Sequence, residues 1–198
     1  TIDPDDELHK KGTRYGMVTS PYQVARRNGY ILVARDSESG AFLGNLCLLP
    51  PYQRHWLFNF HIICSVLPLG LPPQMSGLAD SLVKEKFDVY GNKTMGEHHL
   101  VMSSTPHWYV CSIGVAKSAQ GRGVGGMLMQ VAFDIAKTAA PRPDVLGHAP
   151  LPIFLECHTG NVGFYEKHGY EVKKTYAVAP KSNPEDKLEY NAMVKRVV

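Results

Sequence analysis

Residues 112–126 read Ser-Ile-Gly-Val-Ala-Lys-Ser-Ala-Gln-Gly-Arg-Gly-Val-Gly-Gly, with Gly121, Gly123, Gly125 and Gly126 crowded together. A β-type run ends at Val115 and a helical pattern opens among the glycines. Such a segment suits anion binding. The first N–H groups of a helix have no internal partner, and they point outward at the positive end of the helix dipole. Glycine carries no Cβ, so a phosphate can approach the main chain closely. Arg122 adds a positive charge. A turn that only packs a helix on a sheet rarely needs four glycines, each costing about 1 kcal/mol relative to Ala in a helix interior. Gly121, Gly123 and Gly126 also satisfy the G-x-G-x-x-G pattern of dinucleotide folds, a weak signal alone. That reading wants an acidic residue about 20 positions on, at a strand end. Asp144 falls near that distance but in a Pro-rich stretch. The Walker pattern fails, because no Lys-Ser/Thr follows the glycines.

Other residue types give less. His98, His99 and His107 raise the question of a metal. Adjacent histidines on a strand point to opposite faces, and no Cys or carboxylate completes a set, so no metal is expected. Cys47, Cys64, Cys111 and Cys157 share no short spacing, which excludes a metal knuckle and reads as reduced, mostly buried thiols.

These groups need a scaffold. Residues 20–28 suit a short helix capped by Ser20 with Pro21 at its first position. Ile31 to Arg35 and Ala41 to Leu49, separated by a turn at Ser37 to Gly40, predict a hairpin. Leu78, Leu82, Val83, Phe87 and Tyr90 predict a helix from Ser76 that Gly91 stops. His98 to Ser104 and Trp108 to Val115 read as strands broken at Pro106. Val124, Leu128, Val131, Ala132, Ile135 and Ala139 mark one face of a helix that Pro141 prevents continuing. A strand at Leu151 to Cys157, a helix at Val162 to His168 ended by Gly169, and strands at Tyr170 to Val178 and Leu188 to Val197 close the chain. Strict alternation puts His107, Tyr109, Cys111 and Ile113 on one face. The order predicts an α/β (α+β) fold, a mixed sheet with helices against it.

At 198 residues, one compact domain is expected. A net charge of +3, from 21 basic and 18 acidic residues, is no footprint for nucleic acid. The longest apolar run, Ile62 to Leu71, is broken by Pro68 and Gly70 and is too short to span a bilayer. Thr1 to Lys11 carries four acids and no apolar core, unlike a secretory signal. A cytoplasmic protein is expected.

Gln120-Gly121-Arg122-Gly123-Val124-Gly125 resembles the Q/R-x-x-G-x-G/A signature of the GNAT acetyltransferases, and it follows a strand, as in that family. Leu155-Glu156-Cys157, then Asn161 and Phe164-Tyr165-Glu166-Lys167-His168-Gly169-Tyr170, resemble its second block. The resemblance covers residues 98–198 and extends to the hairpin at 30–50. It implies a mixed, mostly antiparallel central sheet flanked by helices. It also implies a single domain over 1–198, with an acetyl-CoA-binding core at 98–198 and a substrate-side insertion at 51–96. The family's first strand and helix should precede the hairpin, and the chain before Tyr30 is short for both.

By this resemblance the main chain of Gly121, Arg122, Gly123, Val124, Gly125 and Gly126, with Gln120, would hold the pyrophosphate of acetyl-CoA. Ile113, Gly114 and Val115 would pair with the pantetheine arm as with an extra strand. Asn161 and Phe164 would flank it, although Asn161 also reads as a helix cap and Phe164 as core. Tyr165 takes the general-acid position. The family often places its base on the strand bearing Tyr109 and Cys111, and this chain has no carboxylate there. His107 and Glu156 are the candidates carried forward, with His158 beside Glu156 and Cys111 as a buried thiol. The implied activity is acetyl transfer to a primary amine of a small molecule in a ternary complex, by a monomer or homodimer using acetyl-CoA and no metal. The alternatives are a protein lysine or N-terminal acceptor, and a CoA-binding module without chemistry.

Overall fold

The computed structural model describes residues 22, 24–26, 29–51, 81–139, 150–179, 184–185 and 187–197, with the side chains of 81–91 outside the description except Val89. Ser20, Pro21, the run Ile62 to Leu71, Cys64, the helix start at Ser76 and Asp144 lie outside these residues, as does most of the expected 51–96 insertion.

The hairpin forms as its turn residues dictate. Strands β1 (Tyr30–Arg35) and β2 (Phe42–Leu49) pair antiparallel. Between them Asp36 Oδ1 accepts from the N–H groups of Glu38 (3.2 Å) and Ser39 (3.0 Å), and Gly40 takes φ +69°, which an L side chain resists.

The next element departs from the sequence reading. Helix α1 spans Ser81–Met102, so it runs through Gly91 and replaces the expected strand at His98 to Ser104. Among its described side chains, the buried ones are Thr94, Glu97, His98 and Met102. Those positions have helical spacing, but three are polar, and a search for apolar periodicity passes over them. Buried Glu97 is kept tolerable by Lys93 of its own helix and Lys174, each a salt bridge. The stop is also disguised. Ser103, not a glycine, takes the left-handed conformation at φ 48°.

Strand β3 (Trp108–Val115) leads to helix α2 (Val124–Thr138), β4 (Ile153–His158), the one-turn helix α3 (Val162–Glu166), β5 (Glu171–Val178) and β6 (Leu188–Lys195). The strands form one six-stranded sheet in the order β1-β2-β3-β4-β6-β5. All neighbours are antiparallel except β3 and β4. This is the expected mixed, mostly antiparallel sheet flanked by helices.

The two faces bury different things. On one, α2 packs Val124, Leu128, Ala132 and Ala136 against Leu46, Leu48, Trp108, Val110, Ile153 and Leu155, and α3 adds Tyr165. Val131, expected on the buried face of α2, is 46% exposed, while Met129 is buried. On the other, Met102 of α1 packs with Phe154, Tyr176, Val178 and Ala192, and Val24 and Ala25 pack with Cys47 and Leu49.

Candidate active site

Two irregularities of the sheet make the site. The parallel ladder joins only Trp108 to Ile153, Tyr109 to Phe154 and Val110 to Leu155. Beyond Val110, β3 continues for five residues and β4 for three without pairing each other. The strands diverge, and the main-chain groups of residues 111–115 that face β4 have no strand partner among the described residues. The second irregularity is a bulge beside the fork. Leu48 pairs with Val110 and Cys47 with Ser112, so Cys111 is the extra residue. It breaks the expected alternation. Tyr109 and Cys111 stay on the α1 face, but Ile113 packs with the core of the α2 face.

Beyond the fork, β3 runs into the glycine loop. Ala116 N–H donates to Leu43 O (2.8 Å), a 3₁₀ turn spans Lys117–Ala119, and Gln120 Nε2 donates back to Val115 O (3.3 Å). The four glycines then divide into pairs. Gly121 and Gly123 have φ of +75° and +78°, and nothing lies within 4 Å of where a Cβ would stand. They are glycine because the chain turns left-handed, and they leave the main chain open to approach. Gly123 caps α2 with no side-chain hydrogen bond, so no cap screens the first N–H groups of the helix. Gly125 and Gly126 serve packing. A Cβ at either would come within 3.2 Å of Phe164 or His168 respectively. Arg122 Nη2 lies 3.8 Å from Asp36 Oδ2 at the exposed rim.

The titratable groups flank the fork from opposite faces. Glu156 is the first residue of β4 beyond the ladder. Its carboxylate accepts from Tyr176 OH (2.7 Å) and Tyr109 OH (3.3 Å). Burial raises its pKa to about 7, the two phenols opposing and nearby Glu97 adding to the rise. Tyr165 lies on the α2 face, packed edge-on to Phe164 and Tyr170. Burial pushes its phenol up to about 12, with Cys157 adding to the shift.

Residues 83–172 match the family model of the acetyltransferase (GNAT) domain. The matched stretch, just under half of the chain, is similar to that family's domain. No curated protein matches the chain in sequence. Among solved structures, the chain is similar to the histone acetyltransferase HPA2 and related acetyltransferase from Corynebacterium glutamicum, at 19% identity and TM-score 0.49, covering 93% of this chain and 76% of that one. It is similar to the polyamine N-acetyltransferase of Drosophila melanogaster, at 16% and 0.47, covering 83% and 73%. It is also similar to Chaetomium thermophilum Naa20, at 17% and 0.46, covering 83% of this chain and 64% of that chain.

The fold thus brings Ile113, Gly114, Val115, Gln120 and the glycines to one end of the sheet, where α3 also lies. Asn161 occupies the N-cap position of α3 but its side chain makes no capping bond. Phe164 is 37% exposed and lies against Gly125. His107 does not join them. It precedes β3, a full strand from the loop, or roughly 25 Å at the rise of an extended chain. Its Nδ1 bonds Thr105 O (2.7 Å) and its Nε2 bonds His98 Nε2 (2.6 Å), so both ring nitrogens are engaged. Of the partners of Glu156, Tyr109 was marked in the sequence only by its place on the strand where the resembling family often has its base, and Tyr176 carried no signal of its own. Alternation does put Tyr176 on the same face of its strand as Val178, and Tyr109 two residues from Cys111. Among the described residues no three His, Cys, Asp or Glu side chains gather as a metal site, and no helix is long and apolar enough to cross a membrane.

Proposed function

We propose that the chain transfers an acetyl group from acetyl-CoA to a primary amine of a small molecule, directly in a ternary complex. The observation that carries this reading is the fork between β3 and β4. It offers a strand edge without a strand partner among the described residues, leading to a helix start with no side-chain cap, with a carboxyl group on one face and a phenol on the other. The residues fit the cosubstrate. The free edge at Ile113, Gly114 and Val115 suits the amide-bearing arm, since a strand edge recognises alternating donors and acceptors. The N–H groups of residues 121–126 suit the pyrophosphate, and the space over Gly121 and Gly123 lets it approach. Gln120 braces the loop, Arg122 supplies charge at its rim, and Asn161 and Phe164 flank the arm.

Acetyl-CoA, when bound, supplies an activated acyl thioester. The chain's own residues manage the protons. A carboxyl group with a pKa of about 7 is half ionised at neutral pH and takes a proton from an amine at Glu156 Oε1 or Oε2. A phenol raised to about 12 keeps its proton at neutral pH and holds it for a leaving thiolate at Tyr165 Oη. The proton is accepted on the α1 face and supplied from the α2 face. Of the two base candidates, Glu156 lies at the fork and His107 at the other end of β3.

Calorimetry with acetyl-CoA, followed by thiol release across amines and peptides, tests the reading. Micromolar binding with turnover on small amines is expected. No binding at millimolar cosubstrate overturns it, and turnover on peptides alone moves the acceptor to a protein.

A further inference from the structure

One pair of reactive side chains takes no part in the transfer. Cys47 of β2 and Cys111 of β3 meet at the bulge, where one residue of β2 faces two of β3. They share an apolar cluster with Leu49, Ile31 and Tyr109. Cys47 is fully buried and Cys111 partly exposed, at the point where β3 leaves β4. Cys111 Sγ lies 3.5 Å from Cys47 O, to which it donates. The neighbouring Cys111 thiol and the Ser112 hydroxyl hold Cys47 down to about 7, while nearness to Cys47 and burial push Cys111 well above the usual thiol range. Cys47 is thus the more acidic thiol of the pair and Cys111 the more exposed one. Cys157 is on the opposite face, against Met193 Sδ (3.6 Å), and belongs to a different cluster. Facing residues of antiparallel strands have Cβ atoms about 4.5–5.5 Å apart. A disulfide needs about 3.5–4.5 Å. The ladder is already interrupted at the bulge, so the remaining closure breaks no regular pairing.

We propose that Cys47 and Cys111 form a reversible dithiol–disulfide site, oxidised by low-molecular-weight disulfides, at the mouth of the fork. The more exposed Cys111 passes its proton to the Cys47 sulfur and, as the thiolate, attacks one sulfur of the oxidant and expels the other as a thiolate, leaving a mixed disulfide. The Cys47 thiolate then attacks the Cys111 sulfur and expels the second thiolate. Both thiolates take up the protons that the cysteines gave, and two electrons pass from the protein to the oxidant. The bond fixes the strand edge at the fork, so it weakens binding there. That consequence rests on the acetyl-CoA reading, whereas the bond itself does not.

The test is treatment of the whole chain with glutathione disulfide, alkylation of the remaining thiols and mapping by mass spectrometry. The expected product is a Cys47–Cys111 cross-linked peptide, two hydrogens lighter, that dithiothreitol reverses. In Cys47→Ser the reaction should stop at a glutathione adduct on Cys111. A wild-type chain whose Cys111 is unmodified, remains as the adduct, or joins Cys64 overturns the site. Calorimetry then compares acetyl-CoA on reduced and cross-linked protein, with at least a tenfold loss expected. An unchanged affinity overturns the control of binding and leaves the bond standing. Failure of the reduced protein to bind overturns instead the proposed function.

Discussion

Glu156 and Tyr165 are both held away from their ordinary pKa values by burial, and the direction suits each role. Glu156→Gln keeps the size of the side chain and removes the base. We expect turnover to fall by about 10²-fold or more with acetyl-CoA affinity unchanged. In the wild type the rate should rise with pH through about 7, because only the ionised carboxyl accepts a proton, and the variant should lose that limb. A steady-state pH profile checks both. Tyr165→Phe should also cost about 10²-fold in turnover at constant affinity, and unchanged turnover would remove the acid. Both residues stood out in the sequence as candidates, Tyr165 through the motif around it and Glu156 as one of two proposed bases. What distinguishes Glu156 from His107 was not legible. It depends on Tyr109 and Tyr176, the latter 20 residues away in sequence, and on where the parallel ladder ends.

At the scale of elements, the glycine loop separates conformation from contact. Gly40 and Gly123 both have φ near +70 to +80° and empty space where a Cβ would stand. Replacing either by Ala costs roughly 1–2 kcal/mol of strain. Only Gly123→Ala should also lower acetyl-CoA affinity, by more than tenfold in calorimetry, and Gly40→Ala serves as its control. The hairpin, α2, α3 and the last three strands followed from turn residues and periodicity. Helix α1 followed only as far as Tyr90; its continuation to Met102 did not, because buried Thr94, Glu97 and His98 are polar and Ser103 ends it. The bulge was equally hidden, since alternation read from Trp108 onward carries no mark of the extra residue at Cys111. A local pattern reports a helix or strand only when the buried residues are apolar and the ladder is regular.

For the whole molecule, the short parallel ladder has a mechanical meaning. Strands β1, β2 and β3 form one antiparallel block and β4, β6 and β5 another, and the backbone seam between them is three residue pairs long. A ligand lying in the open part of that seam spans both blocks like a clasp. Binding and cohesion then become one quantity, and saturation at a hundred times Kd should add about 2.7 kcal/mol to stability. Amide exchange locates the effect. Protection should rise at residues 111–115 and 156–158, on the two lips of the seam, and change little in the β1–β2 hairpin. The enzyme would thus be most firmly one body while it is at work.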